Sequence, residues 1–550
     1  MESTKKQKIV WDGYEIALKR YEKADYEGAL TLLLNADEDG HATPEILSLI
    51  ATIYFDIEMY NYSIEYWLRY LSAVSGAENK AKAYNALAAC YCRLDMPGPM
   101  TYWYDEQLKV CDMSELEYDN ILMEYYDAVN DTVHSEFYSV DNPPGDRLAW
   151  EGSVLISEGC YSEAVEKLKA VSINDPRYID AQLNISACYS VLGEEEKSID
   201  VLKALVEKRP DSGVANLSYA ACFFDAHQMT EAKFYAEKAV ECGIDDEEDL
   251  FRLAFILLNL DEEEQALHEI DKSLLISPYY LKSLLLKGEI LYNRGNFEEA
   301  EQIFKKLYDI TRGPTAKYFY SLSVSTQNDK PTKLEYGMIL PKNEASLRFT
   351  HVAFIIAGRE AVIKAEKKED LKDLVDWCLF YPNGLQADFV KTLISCSKKM
   401  SKYLIDKLLC PRVDCEVKFV IIEGLARYGY SKKIAVEMNG VYFTKKIIPT
   451  DLGADLPVNV FDDAYAYAYS KICLFDERAD DLIDYAREMF YYTLENHTFD
   501  KVKDKNALAA AMLFFGEYDV VKQKGFVEQI LKSNRKKVKE VLLYTGGSKE

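Results

Sequence analysis

Basic residues are scarce at one end of this 550-residue chain. Of its 65 Lys+Arg and 92 Asp+Glu, residues 315–550 hold 36 and 33, which leaves 29 and 59 for the first 314. A field that acidic repels phosphate backbones, so nucleic acid is excluded as an expected ligand of the first part, and basic or neutral partners are favoured. Proline is sparse, 15 residues, and 49% of the chain is hydrophobic, which excludes a disordered chain. No apolar run approaches the roughly 18 residues needed to span a bilayer. Met1 to Lys6 lead into an amphipathic stretch without an apolar signal core, so a cytoplasmic location is the expectation.

Paired metal-ligand cysteines are missing too. The twelve cysteines contain no CxxC, and Cys410 and Cys415 stand too far apart, with no second pair following. Cys188 and Cys222 fall on apolar helical faces, where a free thiol is a small hydrophobe, so reduced structural cysteines are expected. Phosphate loops, dinucleotide fingerprints, HExxH and GxSxG are all absent. The acidic runs Asp245–Asp249 and Asp261–Glu264 lack the glycine and terminal glutamate of a calcium loop, and carboxylates at helix starts are favoured by the macrodipole. His227 and His268 read as structural. No catalytic residue, metal or cofactor is expected.

What is present is a period of 34 residues from about Gly145 to Pro314. Small residues recur at Gly152, Ser186, Ala220, Ala254 and Gly288, and again at Ala164, Ser198, Ala232, Ala266 and Ala300. A turn column runs Gly159, Gly193, His227, Asp261, Gly295. Pro176, Pro210, Ile244 and Pro278 close the units, with Pro314 displaced by two. Small residues let paired helices approach, glycine ends the first helix cheaply, and proline stops the second. Leu168, Leu202, Ile270 and Phe304 fill the space between units.

This pattern resembles the tetratricopeptide repeat (TPR) family. The resemblance implies an all-α, right-handed helix-turn-helix solenoid that binds other polypeptides. Weaker units are legible upstream at Ala17, Tyr26, Ala29 and Leu33, and 34 residues on at Ala51, Tyr54, Tyr60, Ser63 and Trp67. A third lies around Ala88, Tyr91 and Trp103, with Pro97-Gly98-Pro99 in place of the usual turn. The expected division is degenerate repeats over 10–114, an irregular acidic, tyrosine-rich stretch over 115–144, five regular repeats over 145–314 and a connecting loop over 315–349. A helical domain follows over 350–550.

In that last domain, residues 403–426 resemble a single HEAT-type helix pair. Ile434 to Lys446, split by Asn439-Gly440, predicts a β-hairpin. Further helices are expected over 360–380, 385–397, 462–474, 480–494 and 505–515, and a basic amphipathic helix over 522–543, which caps the domain, docks on the acidic array, or meets a membrane or nucleic acid.

The family's groove is lined mainly by the first helix of each repeat. Carrying that register across places Leu183, Ala187 and Ser190, then Leu217, Ala221 and Phe224, then Phe251, Phe255 and Leu258, then Leu285, Glu289 and Tyr292 on the inner face. Such an apolar stripe marks an interaction site, or is covered by the chain's own C-terminal domain or the loop at 320–345. The family's carboxylate clamp finds Ala149, Ser153, Asn184, Val214 and Ser218 at its positions, so acidic chaperone tails are not expected. The expected function is a non-enzymatic adaptor. Its partner is a protein or peptide held by Leu183, Leu217, Phe224, Phe251, Phe255, Leu258, Leu285 and Tyr292. A peptide-responsive regulator and an activity in residues 350–550 are the alternatives. Oligomeric state is not legible.

Overall fold

The computed structural model describes residues 13–94, 96–110, 144–157, 159–326, 333–337, 340–367, 371–381, 383–450, 452, 460–523 and 525–546. The tyrosine-rich stretch expected before residue 144 lies outside these. The fold is all-α with TPR-like helix pairs, and two strands are the sole sheet among the described residues.

Five consecutive helix pairs follow the 34-residue columns. They are Pro144–Ser157 with Tyr161–Leu168, Tyr178–Val191 with Glu195–Lys208, Gly213–Asp225 with Met229–Cys242, Glu247–Asn259 with Glu263–Ile276, and Leu281–Arg294 with Phe297–Thr311. We number them repeats one to five. Gly159, Gly193, His227, Asp261 and Gly295 all have positive φ, between 57° and 85°. His227 and Asp261 accept that conformation without glycine, so the turn geometry is common to all five units. The small columns are as tight as the pattern implies. A Cβ on Gly152 would strike Leu168, and one on Gly288 would strike Phe304. In repeat two, both columns are serine and bond across the pair, Ser186 Oγ lying 2.8 Å from Ser198 Oγ.

Compactness divides the chain into two units. The first comprises Met1–Ala42, Thr52–Met59 and Cys92–Pro341; the second comprises Thr43–Ala51, Tyr60–Tyr91 and Lys342–Glu550. Within the first, helix Tyr26–Glu38 packs against the second helix of repeat five. Tyr54 donates its hydroxyl to the Ile310 carbonyl at 2.8 Å, and Lys306 pairs with Glu27 at 3.2 Å. Ala24 and Glu58 carry the same positive-φ turn, 34 residues apart. Helix Pro314–Thr326 continues beyond repeat five where a loop was expected. Pro97 opens helix Pro97–Val110, a position suited to proline because the missing N–H has no intrahelical partner there.

The second unit gathers helices Tyr60–Ala73 and Ala77–Arg93 with the C-terminal helices. Arg412 is its central connection: the guanidinium lies 3.7 Å from the Tyr62 ring centroid and 5.1 Å from that of Phe380. It donates to Glu65 Oε2 at 2.7 Å. Burial alone would raise the Glu65 carboxyl, but Arg412 and Lys407 outweigh it and hold the group down at about 2. Helices Lys398–Lys407 and Cys415–Arg427 form the expected pair. Strands Lys433–Met438 and Val441–Lys446 form the expected hairpin, with Asn439 and Gly440 at φ 50° and 86°. Buried Lys418 ties that hairpin to the helix before it, pairing with Glu437 and donating to its carbonyl at 2.8 Å.

The basic helix expected over 522–543 is not continuous. A 3₁₀ turn at Asp519–Lys522 and a π-helical turn at Phe526–Ile530 precede helix Arg535–Tyr544. Gly525 and Lys532 take positive φ, and Asn534 caps the last helix by accepting from Lys537 N at 3.0 Å. The stretch expected over 360–380 is divided into helices Arg359–Glu366 and Leu371–Phe380, and the other expected C-terminal helices form at Gln386–Cys396, Val460–Ile472, Leu482–Glu495 and Lys505–Phe515.

Gly295→Ala meets open space, nothing lying within 4 Å. It should lose about 1 kcal/mol in urea denaturation from the left-handed backbone alone. Gly288→Ala, which meets Phe304, should lose more, about 1–3 kcal/mol. Glu65 is held below its ordinary 4.5. Its stabilisation is therefore complete above that value and lost as pH falls from 4.5 towards about 2. Glu65→Gln should flatten the pH dependence of unfolding in that window.

Candidate functional site

The stripe expected on the inner face is built on the first helices of repeats two to five. Those of repeats three and four begin with a side-chain cap. Ser212 Oγ accepts from Ala215 N at 3.2 Å, and Asp246 Oδ1 accepts from Asp249 N at 2.9 Å. The acidic run at Asp245–Asp249 thus supplies a helix cap. In the second run, Glu262 pairs with Lys233, and Arg294 reaches Glu263 at 2.5 Å and Glu264 at 2.9 Å. These carboxylates are engaged with cations of the chain. No group of three metal-binding side chains occurs among the described residues.

The stripe residues divide by depth. Leu217, Phe251 and Leu258 belong to a buried cluster of repeats three to five, and Phe224 and Phe255 pack on it with part of their surface exposed. Leu285 and Tyr292 are buried, and Tyr292 meets Phe297 edge-on at 5.3 Å. Leu183 packs partly buried on the cluster of repeats one to three. Five of the eight residues expected on an open face are therefore at most 7% exposed. Phe251 is covered by the neighbouring repeat, and Tyr292 is met by Phe297 of its own.

Phe251 illustrates the cause. Tyr280, from the start of repeat five, lies across it at 6.3 Å, and the Lys282 ammonium stands 5.7 Å from its ring centroid. Lys282 is itself held by Glu248 at 2.6 and 2.7 Å, and Tyr280 donates to the same carboxylate. Burial raises the Glu248 carboxyl, yet the bonds from Lys282 and Tyr280 outweigh it and the group lies below its ordinary range. Burial, then the bond to Glu248, pushes the Tyr280 hydroxyl up.

Beside this cluster lies a contact that helix periodicity does not announce. Asn293, at the end of the first helix of repeat five, binds the Leu334 backbone, and Tyr336 packs on the cluster that holds Phe251. Residues 333–337 fall within the stretch weighed above as a possible cover. No repeat column marks Asn293, but a polar residue following Tyr292 of the expected stripe was available as a signal.

In the second unit a cleft of about 540 Å³ is lined by Lys80, Tyr84, Asp406, Lys433 and Tyr442 among others. It brings no nucleophile–histidine pair together among the described residues.

Residues 180–212, the second repeat, match the tetratricopeptide repeat family. Over 163 residues the chain is 25% identical to the Caenorhabditis elegans tetratricopeptide repeat-containing protein trd-1, a match spanning 28% of this chain and 19% of that relative. Among solved structures, it is similar to a crystal structure of MamA at 20% identity. That likeness covers 29% of this chain and 94% of the other, with a TM-score of 0.25. A second similar structure is MamA from residue 41 to its end, from Desulfovibrio magneticus RS-1. It is 19% identical over 31% of this chain and 97% of that one, with a TM-score of 0.25.

Phe251→Ala should cost about 3–5 kcal/mol in urea denaturation, the range for emptying a buried aromatic site, and Phe255→Ala clearly less. Equal losses would mean that exposure does not separate the two rings.

Proposed function

Because the chain carries tetratricopeptide repeats, we propose that it is a non-enzymatic scaffold that holds a partner polypeptide along the inner face of repeats two to five. The carrying observation is the apolar stripe repeated on four successive first helices, in which Leu183, Phe224 and Phe255 keep part of their surface exposed. These three are the anchors. Phe224 and Phe255 pack on a floor that includes Leu217, Phe251 and Leu258, Leu183 packs on the preceding cluster, and Leu285 and Tyr292 are buried. Anchors of this kind concentrate binding energy in a few side chains.

Charge selects among partners. The excess of 59 acidic over 29 basic residues in the first 314 favours apolar segments with basic or neutral flanks, and speeds their encounter at low salt. No helix among the described residues is long and apolar enough to cross a membrane.

A peptide-display library panned on the full chain tests this. Retained peptides should be rich in apolar residues flanked by Lys or Arg. Phe224→Ala with Phe255→Ala should weaken them by about tenfold or more while leaving most of the thermal stability. Retention without that bias, or unchanged by the substitutions, overturns the reading.

A further inference from the structure

Segment Lys333–Gly337 carries no helix or strand, and it lies against repeats four and five. Its contacts are those of a bound peptide. Asn293 Nδ2 donates to the Leu334 carbonyl at 2.9 Å, and Asn293 Oδ1 accepts from the Leu334 N–H at 2.7 Å. A side-chain amide that satisfies both groups of one residue reads extended backbone, whatever side chain that residue carries. The side chains then add selectivity. Leu334 is 6% exposed. Two residues on, Tyr336 packs on the cluster of repeats three to five and donates its hydroxyl to Glu263 Oε2 at 3.4 Å. Between them Glu335 is exposed, as is Lys333 before them.

We propose that Lys333–Gly337 is an internal ligand occupying a peptide site on repeats four and five, and that the site's external ligand is an extended peptide of the pattern Leu-x-Tyr. Asn293 holds the backbone at the leucine, whose side chain is buried, the apolar cluster takes the tyrosine ring, and Glu263 accepts from its hydroxyl. This rests on the reading that the array captures polypeptides, and adds which site is guarded and by what. A tethered segment competes at an effective concentration in the millimolar range. A free peptide of equal intrinsic affinity is therefore largely shut out until the segment is displaced.

The probe is the acetylated, amidated peptide Lys-Leu-Glu-Tyr-Gly carrying a fluorophore, read by polarisation on the full chain. Leu334→Ala with Tyr336→Ala strips the segment of both anchoring side chains and should tighten peptide binding by about tenfold or more. Adding Asn293→Ala should abolish the gain, and a peptide of scrambled order should show none. Equal affinity for the unsubstituted and doubly substituted chains overturns the proposal. So does absence of binding to a doubly substituted chain whose melting is unchanged.

Hydrogen exchange on the unsubstituted chain covers the case in which the double variant does not fold. Excess peptide should speed exchange of the Leu334 amide, and no change overturns the proposal. Library peptides that bind through Phe224 and Phe255 while leaving that amide protected would sink the internal ligand alone. Peptide-driven exchange in a chain that retains no library peptides would sink the scaffold reading alone.

Discussion

Close approach of the two helices in each repeat is the constraint on which the rest of the first unit depends. It fixes which residues can be large. Gly152 leaves the volume that Leu168 fills, and Gly288 the volume that Phe304 fills. It also explains the turns, since helices so close are joined by a single left-handed residue at all five positions, even where that residue is His227 or Asp261. Ser186 and Ser198 show the same approach made polar, each hydroxyl within bonding distance of the other. Once the pair is set, stacking of pairs buries Leu217, Ala254 and Ile270 in one continuous cluster.

The repeats were legible because their cause is local and recurs. A small residue, a turn residue and a second small residue act within one unit, so five units repeat the signal. Asn439-Gly440 was legible for a similar reason, since two neighbouring residues determine the hairpin turn. The candidate site was legible only as a register. Position along the helix placed Phe251, Leu258 and Tyr292 in one stripe, but depth is decided by the residues that pack over them. Tyr280 and Lys282 cover Phe251, and nothing in the period marks them for it. Asn293 and Leu334, 41 residues apart, belong to no column at all.

Pairing across long separations was the least legible feature. Glu65 and Arg412 stand 347 residues apart, in stretches read as a degenerate repeat and as a HEAT-like pair. Each stretch was recognisable as helical alone. Their joining in one compact unit follows from a charge that needs a partner and from two rings, Tyr62 and Phe380, that receive the guanidinium. A buried ion pair of this kind adds little net stability against an apolar replacement, but losing either partner is costly.

The contact of Tyr54 with Ile310 has a consequence for how the chain is made. These two residues are 256 positions apart, and helix Tyr26–Glu38 packs on the same helix as Ile310. At synthesis rates of about 5–20 residues per second, the first segment waits roughly 13 to 50 seconds for its packing surface to leave the ribosome. During that interval Leu30, Leu33 and Leu34, buried in the finished structure, lack that surface. The nascent chain is thus a natural client for whatever shields apolar helices during translation.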